Sequence, residues 1–404
     1  MTATIFAGLR VAEFGSGAAG PVSTRYFADY GATVIRVESR HRPDFLRTLT
    51  MKPDTPGGLD ASLHFAVLNP NKLSVALNMN LPEGVAAARR LALSADVVAE
   101  NFSPKAMAKW GLDYERLSAE RPDLVMVSTC LFGQTGPERM YAGFGGQGSA
   151  ISGYNHLTGW PDREPLGPFG TITDSLSPRF AALLVASALL RRKKTGEGQH
   201  IDLSQVEAGV YCLAESIVRY GANQEIVERL GYRSEHVAPH AVLPCHGDER
   251  WVTVVCHDDD DWRRLVGAIG EPEWAEDARF ASNQLRLANV DALEQRLAEW
   301  TRGRTAEDVM QTLQAAGVES GVVENNEDLN LDPQLAARRH FRPLDHSIIG
   351  RHVVEANAMR FSETPEDIRR PAPRLGEHTE HVFRTLVGMS ETEFRDLAAK
   401  GVFE

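Results

Sequence analysis

Cysteine is scarce, with four in 404 residues. That is too few for a disulfide scaffold and excludes the small cross-linked secreted folds. Long apolar runs are missing as well. The longest, Phe180–Leu190, has 11 residues and ends in Arg191-Arg192-Lys193-Lys194, where crossing a bilayer takes about 20; no membrane partner is expected. Met1–Gly15 lacks a basic start and its apolar run is broken, so no secretory signal is expected and the predicted location is cytoplasmic. Positive charge is in deficit, 43 Lys+Arg against 55 Asp+Glu for a net charge of −12, and no Lys/Arg-rich run forms a patch. Such a surface repels phosphate backbones, so nucleic acid is not an expected partner.

What remains is an ordinary globular mix, 43% hydrophobic and 24% charged. A single core stops growing at about 250–300 residues, so two domains are expected. Cys245-His246 and Cys256-His257 invite a zinc reading, but zinc knuckles place paired ligands within about two to four residues. The competing reading is a hairpin, with Val242–Cys245 and Trp251–Cys256 as strands about the turn Gly247-Asp248. Its turn would set residue 245 against about 252 and keep the two thiols apart, so no metal is expected.

Leu9–Phe14, Pro21–Tyr30 and Thr33–Val37 read as strand, helix and strand. Ser74–Leu77, Pro82–Leu93, Asp96–Ala99 and the short helix Pro104–Trp110 repeat the alternation, and Leu124–Ser128 adds a strand. This spacing predicts an α/β fold with a parallel sheet covered on both faces. From Gly133 to Gly170 the chain is rich in Gly, Pro, Ser and Tyr with little periodicity; a loop of that length is usually functional. An apolar helix, Pro178–Arg192, and a strand, His200–Leu203, follow. Residues 225–325 change character, with the hairpin and then polar helices at Asp260–Gly267, Val290–Thr301 and Thr305–Ala316. They predict a smaller α+β domain, leaving 1–224 and 326–404 as a Rossmann-like large domain.

Gly15-Ser16-Gly17-Ala18-Ala19-Gly20 matches G-x-G-x-x-G after a strand, with Glu38 about 20 residues on. In a dinucleotide site the helix begins near the second glycine, so that its amides reach the pyrophosphate. Pro21 instead suggests a helix starting at Pro21, and no downstream cluster suggests hydride chemistry. An NAD(P)-dependent oxidoreductase is the rival reading.

Further motifs run in order along the chain: Ala19-Gly20-Pro21, Asp29-Tyr30-Gly31-Ala32, Asn69-Pro70-Asn71-Lys72, Glu100-Asn101-Phe102, Gly133-Gln134-Thr135-Gly136-Pro137, Thr195-Gly196-Glu197-Gly198-Gln199-His200 and Leu375-Gly376-Glu377-His378-Thr379. In these the chain resembles the class III CoA-transferases, which include formyl-CoA transferase, carnitine CoA-transferase and, as a divergent branch, alpha-methylacyl-CoA racemase. The resemblance implies a large domain built from both chain ends, an interlocked homodimer or a pairing with a related subunit, and acyl-CoA and carboxylic acid as substrates. It implies coenzyme A carried as a thioester and no metal.

It also implies that Asp174, between the Gly-rich loop and the long helix, is the nucleophile. A carboxylate suits the chemistry: attack on a thioester expels thiolate and leaves a mixed anhydride. The competing reading of Asp174 is a helix N-cap, although Ser177-Pro178 offers its own helix start and would leave Asp174 on the loop. Backbone amides of Gly17-Ala18-Ala19 and of Gly143–Gly148 are candidate oxyanion donors. The resemblance places Asn101 and Phe102 against CoA, Asn71 and Lys72 near it, and basic residues on the next helix; Lys105 and Lys109, four apart, share a face. The family's basic residue after the second strand's Glu is Ser39 here, with Arg40 one position on.

A racemase needs an acid/base pair, which that branch supplies as His-Asp before Ser152-Gly153. Phe144 and Gly145 stand at those places here, and neither carries a proton. A racemase-like enzyme is therefore the weaker alternative. Gly145 also departs from transferases that place an acid there, which points to a roomier acyl pocket.

Overall fold

The computed structural model describes residues 4–404 except 53 and 169. Chain packing divides them into a large unit, running to Asn155, over Gly167–Val227 and from Gln334 to the end, and a small unit of His156–Leu166 and Glu228–Pro333. The division falls at 227/228 and 333/334 instead of 224/225 and 325/326, and His156–Leu166 groups with the small unit.

The large unit is built on six parallel strands: β1 (Arg10–Phe14), β2 (Thr33–Glu38), β3 (Leu73–Ala76), β4 (Val97–Glu100), β5 (Val125–Cys130) and β6 (Gln199–Ser204). Their order is β3-β2-β1-β4-β5-β6, so the direction of winding reverses between β1 and β4, where ligands of such sheets bind. Successive side chains alternate between two cores, as the two-residue strand period requires. Ala12, Phe14, Ile35 and Val98 pack with Leu91 and with Phe383 and Val402 from the chain end. Val11, Val34, Val97 and Val127 pack with Phe27, Ala181, Val185 and Ala188 on the opposite face.

Three local expectations are corrected. The first helix is Ala19–Asp29, not a helix starting at Pro21. Pro21 is its third residue, still in the turn whose N–H groups have no intrahelical acceptor, so it is tolerated there. The long helix is Ile172–Thr195, with Pro178 inside it. Ser177-Pro178 therefore does not start it, and Asp174 sits in its first turn. Thr173, Ser177, Ala181, Val185 and Ala188 form its buried stripe. Finally, the stretch 133–170 is not wholly irregular: it contains the helices Gly145–Ile151 and Tyr154–Leu157. Glycine disfavours helix, but here tertiary packing decides. A Cβ at Gly148 would lie 2.5 Å from Thr173 Oγ1, so only glycine lets this helix approach the long one.

The small unit carries an antiparallel sheet of β7 (His240–Pro244), β8 (Trp251–Val255) and β9 (Glu319–Val322). The Cys245 N–H donates to the Arg250 carbonyl and the Cys256 N–H to the Pro239 carbonyl. Residue 245 thus opposes 250, not 252, and the two thiols stand at opposite ends of the hairpin. Near the chain end β10 (Phe341–His346) and β11 (Gly350–Glu355) form a second hairpin in the large unit.

Candidate active site

Charged residues lie inside the sheet. Glu13 on β1 is the register partner of Arg36 on β2, and both are buried. Arg36 pairs with Glu13 and Asp44, Arg47 with Glu38 (2.8 Å), and Lys72 with Glu13 (2.8 Å). Three carboxylates, Glu13, Glu38 and Asp44, thus face three cations, Arg36, Arg47 and Lys72, and buried charges persist only when compensated in this way. Burial pushes the Glu13 carboxyl up, but Lys72 and Arg36 outweigh it and hold the group at about 2.

This network bears on the glycine motif. Glu38, which would hold a ribose in a dinucleotide site, has both carboxylate oxygens engaged: Arg47 donates at 2.8 and 2.9 Å and Ser74 Oγ at 2.6 Å. The glycines make room for side chains of this chain. A Cβ at Gly15 would lie 2.5 Å from Asn101 Oδ1, one at Gly20 2.8 Å from Asn101 Cγ, and one at Gly17 2.5 Å from Phe45 Cε1. Gly17 also adopts φ +76°, a region costly for any side chain. Its amide donates to Asp44 at 3.0 Å and so is not a free oxyanion donor. Ala18 and Ala19 open the helix, and their amides have no acceptor within it.

Asp174 is the third residue of its helix, not its cap; Thr171 holds the cap position, and its side chain makes no capping bond. The Thr171 hydroxyl and the Gly145 amide donate instead to the Asp174 carboxylate. Thr173 Oγ1 donates to the Gly145 carbonyl at 3.1 Å, so the first turn of the long helix engages both the N–H and the carbonyl of Gly145. Burial pushes the Asp174 carboxyl above the usual carboxylate range, and the two donors oppose that rise. A Cβ at Gly145 would lie 2.3 Å from Asp174 Oδ2. The space left at Gly145 is therefore filled by the Asp174 carboxylate and does not enlarge an acyl pocket. Beside it the Phe144 ring meets Phe45 edge-on at 5.3 Å. Through Phe45 and Phe144 the Gly17 turn and the Asp174 carboxylate are joined in one site.

The sequence pattern of CoA-transferase family III matches residues 6–379. The chain belongs to that family. It is 35% identical over 395 residues to the succinyl-CoA–D-citramalate CoA-transferase of Chloroflexus aurantiacus, covering 98% of this chain and 97% of that one. The succinyl-CoA–L-malate CoA-transferase beta subunit of the same organism is 32% identical over 399 residues, 98% of this chain and 97% of its own length. The crystal structure of a CAIB/BAIF family protein from Brucella suis superposes with a TM-score of 0.87 at 32% identity, covering 96% of this chain and all of that one.

In this family III chain the residues expected around CoA separate into two groups. Asn101 stands at the end of β4 and clasps Ser16, accepting its N–H at 3.0 Å and donating to its carbonyl at 2.8 Å. Half-buried Phe102 packs on Trp110 at 5.8 Å. Lys105 and Lys109 are exposed on the helix Pro104–Trp110, and Arg40 is exposed beyond β2. Asn71 and Lys72 are corrected. Lys72 is 1% exposed, and its ammonium donates to Glu13, the Pro21 carbonyl (2.7 Å) and Asn69 Oδ1 (3.0 Å). Asn71 donates to Asp29 and accepts from the Arg369 and Arg370 amides. With every polar group spent, both support the framework and neither faces a ligand.

Sequence reasoning missed the buried network and Glu100. The signal for the network was present: a buried parallel strand should be apolar throughout, yet Arg-Val-Ala-Glu-Phe and Thr-Val-Ile-Arg-Val-Glu carry opposite charges. Glu100 is a different case. It is buried with neutral partners, the Phe102 amide at 2.8 Å and Gln134 Nε2 at 3.3 Å, and burial lifts its carboxyl to about 7.

Proposed function

We propose that this chain is an acyl-CoA:carboxylate CoA-transferase with Asp174 as its covalent nucleophile. The observation that carries the reading is the Asp174 carboxylate, withdrawn from water yet held by the Gly145 amide and the Thr171 hydroxyl. Desolvation sharpens a carboxylate as a nucleophile, and the donors keep it ionised. Its oxygen attacks the thioester carbonyl, the C–S bond breaks, and CoA leaves as thiolate with a mixed anhydride left behind. The thiolate then attacks the Asp174 carbonyl, giving an aspartyl-CoA thioester and releasing the first acid as carboxylate. A second carboxylate attacks that thioester, re-forming an anhydride and thiolate. The thiolate takes the new acyl group, and Asp174 is regenerated. No net proton moves, since carboxylates and thiolates are both accessible anions near neutral pH.

CoA would lie along the ends of β1, β2 and β4. The pantetheine would pass Ala18, Asn101 and Phe102, and the phosphates would meet Lys105, Lys109 and Arg40. No metal enters these steps. Racemase chemistry is disfavoured because the groups acting on Asp174 are a hydroxyl and an amide, neither of which serves as a second base. Oxidoreductase chemistry at Gly15–Gly20 is disfavoured by the engagement of Glu38.

We also place the chain in an interlocked homodimer. The helix Ala214–Asn223 has no buried residue, and Ile217, Val218 and Tyr220 are exposed on it, as are Leu183 and Leu190 on the long helix. Apolar surface on this scale marks an interface. Pairing with a related subunit is the second reading, since relatives of this chain include both alpha and beta subunits of one transferase. The function is tested by exchange of labelled acid into its CoA thioester. Asp174→Asn should abolish exchange, and full exchange by that variant would refute the assignment.

A further inference from the structure

We infer that Thr173 is a positioning residue for the nucleophile, acting on Asp174 through Gly145; this rests on the transferase reading and deepens it. The Gly145 amide donates to the Asp174 carboxylate, and glycine, having no Cβ, does little to fix the direction of its own N–H. That direction is set by what the adjoining groups bond. Upstream, the Phe144 N–H donates to Gln147 Oε1 at 2.9 Å. Downstream, the Gly145 carbonyl accepts from Ser149 Oγ at 2.8 Å and from Thr173 Oγ1 at 3.1 Å. The bonds from Gln147 and Ser149 lie within the helix Gly145–Ile151 and its cap. The bond from Thr173 ties residue 145 to the helix that carries Asp174, and so governs how closely amide and carboxylate approach.

The packing is shaped around this side chain. Thr173 is fully buried. A Cβ at Gly148 would lie 2.5 Å from its Oγ1, and one at Gly209, on the helix Gln205–Tyr211, 3.2 Å from its Cγ2. Each branch of the threonine thus meets a glycine of a neighbouring helix, and a side chain already stiff at χ1 is confined further. Valine has the same shape and would serve that packing as well. A buried hydroxyl is costly unless it is hydrogen-bonded, and this one is directed at the residue whose amide holds the nucleophile. Packing alone does not account for it.

The test follows the Asp174 carboxyl of the full chain by carbodiimide coupling to glycine ethyl ester across pH, scored by peptide mass. The coupling consumes a proton at the carboxyl, so its midpoint tracks the titration of Asp174. Thr173→Val and the smaller Thr173→Ala should move that midpoint to higher pH, because a loosened Gly145 amide opposes the effect of burial less. Thr173→Ser keeps the hydroxyl and should leave the midpoint at the parent's value. With succinyl-CoA and labelled succinate as probes, kcat of Thr173→Val should fall about tenfold, while KM for succinyl-CoA is unchanged. Lost packing alone would lower the melting temperature and leave the midpoint in place. A midpoint unmoved in both hydroxyl-free variants would overturn the inference and leave the transferase reading standing. Acid exchange retained by Asp174→Asn would overturn both.

Discussion

Gly145→Ala is the smallest change that strikes the site. The added methyl carbon would lie 2.3 Å from Asp174 Oδ2, 2.5 Å from its Cγ and 2.7 Å from Thr171 Cβ. Thr171 Cβ is fixed to the backbone while the Asp174 carboxylate ends its side chain, so it is the carboxylate that must rotate away. In doing so it loses the Gly145 amide. A hydrogen bond to a charged group contributes about 1.5–3 kcal/mol, and each 1.36 kcal/mol is about tenfold in rate. We therefore expect kcat to fall about ten- to a hundredfold, with a smaller change in KM because the proposed CoA contacts lie at other residues. The fold should survive, since alanine outranks glycine in a helix by about 1 kcal/mol. The assay is steady-state acid exchange with a thermal melt as control. A Gly145→Ala enzyme within twofold of the parent in kcat would refute the idea that this amide holds the nucleophile.

Three further outcomes are expected. Thr171→Val removes a donor that opposes the rise of the Asp174 pKa, so the acid limb of the kcat/KM profile should move to higher pH, and Thr171→Ser should restore it; an unmoved limb would contradict the contact. Glu100→Gln concerns stability. The Glu100 carboxyl goes from 4.5 to about 7 on folding, so the folded state prefers it protonated. Its contribution is intact below pH 4.5 and is lost as pH rises to about 7. The variant should be more stable than the parent at pH 8 by up to about 3 kcal/mol in urea titration, and equal stability at pH 4.5 and 8 would count against this. Lys72→Met leaves Glu13 short of a partner and should cost about 3–5 kcal/mol in the same titration, while KM for acyl-CoA stays within twofold. A raised KM with unchanged stability would return Lys72 to the CoA site.

Much of the fold could be read from alternation alone. Each of the six parallel strands falls where the alternation places one, although β6, Gln-His-Ile-Asp-Leu-Ser, is not an apolar run. Asp174 was legible only as a position between a glycine-rich stretch and a helix. Its environment was not, because Gly145 and Thr171 come from segments whose helical starts depend on tertiary packing. Gly145–Ile151 has poor helix propensity and forms against Thr173. Ile172–Thr195 runs through Pro178, a residue that would ordinarily end it. The roles of Asn71 and Lys72 were misjudged for a related reason. A lysine in a motif looks like a phosphate ligand until Glu13, 59 positions earlier, closes on it, and a contact at that separation leaves no local trace.

The chemistry of one carboxylate, Asp174, decides the proposed function. The enzyme should be incubated with an acyl-CoA, quenched into hydroxylamine, digested and analysed by peptide mass. A hydroxamate on the tryptic peptide Glu164–Arg179, mapped to Asp174 and missing in Asp174→Asn, is the predicted result. Turnover between two acids with that peptide unmodified at every time point would contradict it.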